Sequence, residues 1–280
     1  MSVRIVADSV ADLPPEVVEE LGITVIPLVI RFGTEVYHDG VDLTADEFYK
    51  KLQTSKFFPS TSVPAPATFT QAYDRLAEEA DEILVITLSS KFSAIYGVAL
   101  KSVGMMQNKC RVEVFDSEWA TTAEGFIVMA AAEAAKAGAS LDQVIEAARK
   151  TIPRVDFLAA FDTLEYLRRG GRIGKAQAFL GSMLKINPLV TLREGVVEPA
   201  GRTRSRAKAI DRLYAFAAGY AHIERMAVEN TACPEDAEAL LERLGAIYPR
   251  ERIYRSRMTP AIGTHTGPGL LLVSVLGDKK

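Results

Sequence analysis

The sequence predicts an α/β protein of two domains: a mostly parallel, Rossmann-like N-terminal sheet wrapped by helices, then an α/β domain built on a mixed sheet. Three observations predict it. The chain has 280 residues, more than one domain usually holds. Through the first half, short apolar runs alternate with helix-like stretches, the pattern of βαβ units. After Pro153 the texture shifts to strand pairs joined at tight turns. That shift sets the boundary near residues 152–155 and the domains at 1–153 and 154–280.

The elements follow in order. Val3 to Ala7 is a short apolar strand ending in Asp8-Ser9. Asp12 can N-cap a helix with proline in its first turn, and Gly22 stops that helix. Ile23 to Ile30 reads as the second strand. Thr68 to Ala80 is helical, Ile83 to Leu88 a buried strand, Ser93 to Gln107 helical again, and Arg111 to Phe115 a strand. Two further helices, Glu124 to Ala137 and Leu141 to Thr151, are parted by Gly138. Beyond the boundary, Asp156 to Phe161 is a strand, followed by a short helix from Thr163 that ends at the glycine pair 170–171. Lys185 to Leu192 and Val196 to Ala200 are strands joined at Glu194-Gly195. Helices at Arg206 to Ala218 and Glu235 to Ala246 alternate with strands at Arg225 to Glu229, Arg252 to Arg255 and Leu270 to Val275.

Composition narrows the function classes. At 48% hydrophobic and 25% charged, the chain has ample apolar mass for a core. A net charge of −3 gives no general attraction to nucleic acid or to anionic membranes. Cys110 and Cys233 lie far apart without a CxxC spacing, which fits a reducing compartment. The first residues lack the basic-then-apolar pattern of a signal peptide, and no run of about 18 apolar residues suggests a membrane span. A cytoplasmic protein without stable membrane insertion is expected.

Four irregular segments carry chemistry. In Phe58-Pro-Ser-Thr-Ser-Val-Pro, prolines flank Thr61 and Ser62 and stiffen a turn that displays hydroxyls; a plain interdomain loop with a helix cap is the alternative. Leu88-Ser-Ser-Lys-Phe-Ser stands where a strand enters a helix, a ready anion site. There Ser89 or Ser90 can be simple caps, while Ser93 lies beyond the cap position and is the better functional candidate. Arg168, Arg169 and Arg172 are either phosphate contacts or ordinary helix-end charges. Residues 261–269, with three glycines and a proline, predict a tight loop presenting His265.

No established catalytic set is complete. The chain has no GxSxG elbow, P-loop, HExxH or GxGxxG, and its histidines (His38, His222, His265) show no metal-ligand spacing. The expectation is a binding protein without metal or cofactor. Its rivals are a phosphotransferase or hydrolase using Ser93 or Ser90, and a carrier of another anionic metabolite.

The ordered pieces Asp8-Ser-Val-Ala-Asp-Leu, Pro59-Ser-Thr-Ser-Val-Pro, Leu88-Ser-Ser-Lys-Phe-Ser, Asp116-Ser117, Leu164-Glu-Tyr-Leu-Arg-Arg-Gly-Gly-Arg, Leu184-Lys-Ile-Asn-Pro and Gly263-Thr-His-Thr-Gly-Pro-Gly resemble the DegV family of fatty-acid-binding proteins. The resemblance runs from residue 5 to residue 275. It implies a long-chain fatty acid buried in a tunnel near the domain junction, with Thr61 and Ser93 holding its carboxylate and Ser62 adjacent. It also implies a carrier rather than an enzyme, one that presents the carboxylate to a fatty acid kinase for acyl phosphate formation. Positions matching Arg202 and His265 resemble the groups associated with that partner step. The sequence departs from the family pattern at Ala94 and Ile95, where a small residue and a hydroxyl are usual, and at Val63.

Overall fold

The computed structural model describes residues 2–179 and 186–280. In chain order its elements are β1 (Val3–Asp8), α1 (Pro15–Leu21), β2 (Thr24–Ile26), β3 (Val29–Phe32), β4 (Glu35–His38), α2 (Ala45–Thr54), β5 (Ser60–Ser62), α3 (Pro66–Leu76), β6 (Glu82–Thr87), α4 (Ile95–Val103), β7 (Arg111–Asp116), α5 (Thr121–Lys136) and α6 (Leu141–Thr151). There follow β8 (Val155–Ala160), α7 (Glu165–Arg169), β9 (Asn187–Arg193), β10 (Val196–Thr203), α8 (Arg206–Ala218), β11 (Tyr220–Asn230), α9 (Pro234–Leu244), β12 (Ile253–Ser256), α10 (Pro260–Thr266) and β13 (Leu271–Lys279).

The predicted fold class holds. The N-terminal sheet is parallel throughout, in the order β2-β1-β6-β7. The second sheet is mixed, ordered β10-β9-β8-β13-β11-β12, with only its last pair parallel. Strand order reverses between β1 and β6, and α/β sheets bind ligands beyond the carboxyl ends of strands at such a point. Every residue of β6 and of β8 is buried, as sheets covered on both faces require.

β8 shows how the second sheet divides its two faces. Phe157 and Ala159 join the larger hydrophobic cluster, which also takes in β1, β6 and α5, whereas Leu158 and Ala160 join a separate cluster against α8 and α9. The two-residue period of a strand sends them to opposite sides. α5 packs against β1 of the first sheet and against β8, β11 and β13 of the second, so one core crosses both.

Three expectations need correction. The single strand over 23–30 is two elements, β2 and β3, because Pro27 has no N–H to continue a ladder. β3 instead pairs antiparallel with β4 and β5 in a small third sheet, which has no counterpart among the predicted elements. Residues 260–266, expected within a loop, form α10. Pro260 suits its first turn, and Gly263 serves close packing rather than a turn: a Cβ there would lie 2.6 Å from the Phe48 ring and 2.7 Å from the Tyr49 hydroxyl on α2. Finally, α4 begins at Ile95 rather than at Ser93. Leu184 and Lys185 lie outside the described residues.

Candidate functional site

The carboxyl ends of the parallel strands and the inner face of the mixed sheet line a largely apolar cavity that opens to the surface. Its floor comes from the mixed sheet: Phe157, Ala159 and Phe161 recur at every second position, joined by Val190 and Leu192 of β9 and Leu272 of β13. Helix α10 contributes Ala261, Ile262 and His265, and further residues come from the segments that join elements, among them Val10 after β1, Leu88 and Phe92 after β6, and Ala120 before α5.

Polar groups gather at a few places on this apolar lining. Thr61 reaches it from β5 and His265 from α10, and Thr61 Oγ1 lies 2.7 Å from His265 Nε2. The two residues are 204 positions apart in sequence. His265 Nδ1 is buried without a partner, and a Cβ at Gly170 would come within 2.2 Å of it. Glycine is therefore required at 170 for the imidazole to sit where it does. Burial, and then the neighbouring Arg172 guanidinium, push the His265 pKa down to about 4, so the ring is neutral at pH 7. A buried N–H left unpaired is rarer and costlier than a bare lone pair, which favours the tautomer with its proton on Nε2. In that tautomer Nε2–H donates to Thr61 Oγ1, and the threonine hydroxyl proton is free to point into the cavity.

Ser93 lines the same cavity. Its Oγ accepts from the Ile95 N–H at 3.2 Å, a local bond just ahead of α4, whose N-cap is Ala94, so the serine lies off the cap position as its sequence position predicts. Arg172 also lines the cavity, a placement that sequence alone left open between ligand contact and helix-end charge. Its guanidinium is held by the carbonyl oxygens of Phe92 at 3.1 Å and Gly170 at 2.6 Å. Arg168 and Arg169 do not join it: both pair with Glu165 on their own helix.

Other candidates fall elsewhere. Ser62 follows Thr61 on β5, where successive side chains face opposite ways, and it is not part of the lining. Ser89 is buried, with its Oγ donating to the Gly195 carbonyl oxygen at 3.0 Å, and so ties the β6 loop to the β9–β10 hairpin. Ser90 is exposed, and its N–H donates to the Asp116 carboxylate. Arg202 is exposed on β10, outside the lining. A nucleophile needs a base that is itself oriented by a third group. The cavity histidine contacts Thr61 rather than a serine, and its second nitrogen has no orienting partner.

Among the described residues, no group of three or more His, Cys, Asp or Glu side chains could hold a metal, and no helix is long and apolar enough to cross a membrane.

Comparison with known proteins agrees with this geometry. A family model described as "Uncharacterised protein, DegV family" matches residues 2–278. A DegV domain-containing protein of Streptomyces coelicolor is 39% identical over 278 residues, covering 98% of each chain. A structure described as fatty acid binding of a DegV family protein from Thermus thermophilus superposes with a TM-score of 0.90 at 33% identity, covering 99% of this chain and 100% of that one. The crystal structure of DegV from Bacillus subtilis, described as a fatty acid binding protein, gives the same TM-score and identity over 99% of both chains. This chain belongs to the DegV family.

Proposed function

We propose that this DegV-family protein is a cytoplasmic carrier that binds a long-chain fatty acid in its cavity, with the carboxylate held by the hydroxyls of Thr61 and Ser93. One observation carries the reading: those two residues, one on β5 and one just ahead of α4, open on a single apolar cavity. The two structures described as fatty acid binding, each aligned over the full chain, support it.

The chemistry suits such a ligand. A carboxylate leaving water needs donors, and the Thr61 hydroxyl, freed by the His265 tautomer, supplies one beside the Ser93 hydroxyl and the Arg172 guanidinium. Burying a dozen methylenes contributes roughly 10 kcal/mol at about 0.8 kcal/mol each. Association costs about 4–15 kcal/mol, so net affinity depends on the cavity being formed in advance.

The carrier presents the bound carboxylate to a partner fatty acid kinase, which makes the acyl phosphate. Arg202 on the exposed surface and His265 at the head-group end serve that step rather than retention. Native mass spectrometry of the purified protein tests the binding: the expected result is a fixed increment of one fatty acid. Protein that carries no increment, and gains none on incubation with palmitate, sinks the reading. With kinase and ATP added, Arg202→Ala should keep the fatty acid and lose acyl phosphate production. Production at the wild-type rate would remove the assigned role.

A further inference from the structure

Asp8 and Asp39 stand just behind the cavity wall, 1% and 3% exposed, and neither forms an ion pair among the described residues. Both are instead tied to the wall through hydrogen bonds. Asp8 accepts from the N–H of Val10 at 3.0 Å and of Leu88 at 2.8 Å. Asp39 accepts from the N–H of Ala261 at 3.0 Å and from the Ser9 hydroxyl at 2.6 Å, while Ser9 Oγ accepts from the N–H of Leu28. Val10, Leu28, Leu88 and Ala261 all line the cavity. Ala261 also lies one helical turn before His265 on α10, so Asp39 braces the helix that brings the histidine to Thr61.

The groups facing the pair are nearly all acids. Asp12, just after β1, and Tyr49 on α2 face Asp39; Glu124 on α5 faces Asp8; Glu229 on β11 lies beyond, against Asp12. On the cavity side stand His265 on α10, neutral at pH 7, and the Arg172 guanidinium beside it. Burial first, and then the like charge of Asp39, push Asp8 up to about 7; burial first, and then Asp12, push Asp39 up to about 7.

We propose that the cavity takes up its anionic ligand together with a proton from solvent, held by the Asp8–Asp39 pair. The proposal rests on the fatty-acid reading. A ligand carboxylate entering the cavity adds negative charge across the wall from two buried acids, and protonating one of them relieves the part of the repulsion that the Arg172 guanidinium at the rim does not offset. No bond other than the new O–H forms or breaks. Coupling is reciprocal: a ligand that tightens the hold on a proton is itself held more tightly as protons become available. Affinity therefore rises as pH falls from 8 to 6, by at most about tenfold per pH unit for one proton.

Calorimetric titration with dodecanoate, which stays ionised over that range, tests this. Titrations at pH 7 in two buffers of different ionisation enthalpy count the protons taken up, and titrations at pH 6 and pH 8 give the affinities. The expected wild-type result is net proton uptake and a Kd about fivefold or more lower at pH 6. Asp39→Asn and Asp8→Asn should each reduce the uptake and flatten the pH dependence. Wild-type binding without proton uptake overturns the proposal and leaves the fatty-acid reading intact, as does full uptake in both variants. No dodecanoate binding at any pH overturns both. Should either variant fail to fold, the wild-type proton count decides alone.

Discussion

The floor of the cavity and its rim are built by opposite rules. The floor is one face of the mixed sheet, where Phe157 and Ala159 alternate with Leu158 and Ala160, which face the other way into a separate core. The rim draws single residues from separate elements: Thr61 from β5, Ser93 ahead of α4, Arg172 after α7 and His265 from α10. A sheet face supplies broad apolar area at fixed spacing and can hold a tail. Several donors are aimed at one point by drawing a single residue from each of a short strand, a segment ahead of a helix, a loop and a helix, rather than from one regular face. On the proposed fatty-acid reading, tail affinity and head-group orientation come from different parts of the architecture and can be altered separately.

Substitutions on adjacent floor residues should show the largest effect. Ala159→Phe projects a ring into the cavity and should reduce retained fatty acid at least about tenfold with little loss of stability. Ala160→Phe, one position on, overpacks the α8 side and should cost about 1–3 kcal/mol while retention holds. Lipid extraction and thermal melts read the two effects, and equal responses from both would break the division between the faces.

The rim offers a smaller contrast. Thr61→Ala removes a hydroxyl from both His265 and the ligand and should weaken binding by about 1–2 kcal/mol, some five- to thirty-fold. Ser62→Ala, directed away from the cavity, should stay within about twofold. A fluorescent fatty-acid displacement assay separates them, and equal losses would place both hydroxyls at the head group.

Ser93→Ala comes next. It loses a ligand donor and also the acceptor for the Ile95 N–H, so binding should weaken together with a stability loss of about 0.5–1 kcal/mol. Weakened binding at unchanged stability would show that the start of α4 does not depend on that serine.

The smallest effect is a pH effect. A buried histidine with its pKa lowered to about 4 stays neutral where the unfolded chain, near 6.5, takes up a proton. Its contribution is complete above pH 6.5 and is lost as pH falls toward 4. Arg172→Gln removes the lesser cause and leaves burial, so the histidine should titrate only slightly higher. NMR titration of the ring measures this; a return to its ordinary value would make the guanidinium, rather than burial, the dominant cause.

Much of this was legible before any coordinates. Periodicity placed β6, β7, β8, α6 and α8 to within a residue or two, because long regular apolar patterns fix element type strongly. The hydroxyl-rich segments around Thr61 and Ser93 stood out through their prolines and through the strand-to-helix junction. The glycines around His265 misled: Gly263 is small to admit the Phe48 and Tyr49 rings, and a packing glycine looks the same in sequence as a turn glycine. The small sheet of β3, β4 and β5 was missed because its short, half-exposed strands carry little periodic signal.

The sequence by itself determined the parallel-then-mixed α/β plan and the family, since both rest on local patterns and on the order of short motifs. Only the tertiary structure decided that Thr61 faces His265 while Ser62 turns away, that Arg172 rather than Arg168 or Arg169 reaches the cavity, and that Asp8 and Asp39 stand together behind its wall. Those facts depend on which faces meet across large sequence separations. Local pattern carries no record of that, because it is settled only when strand register and packing of the whole chain are satisfied together.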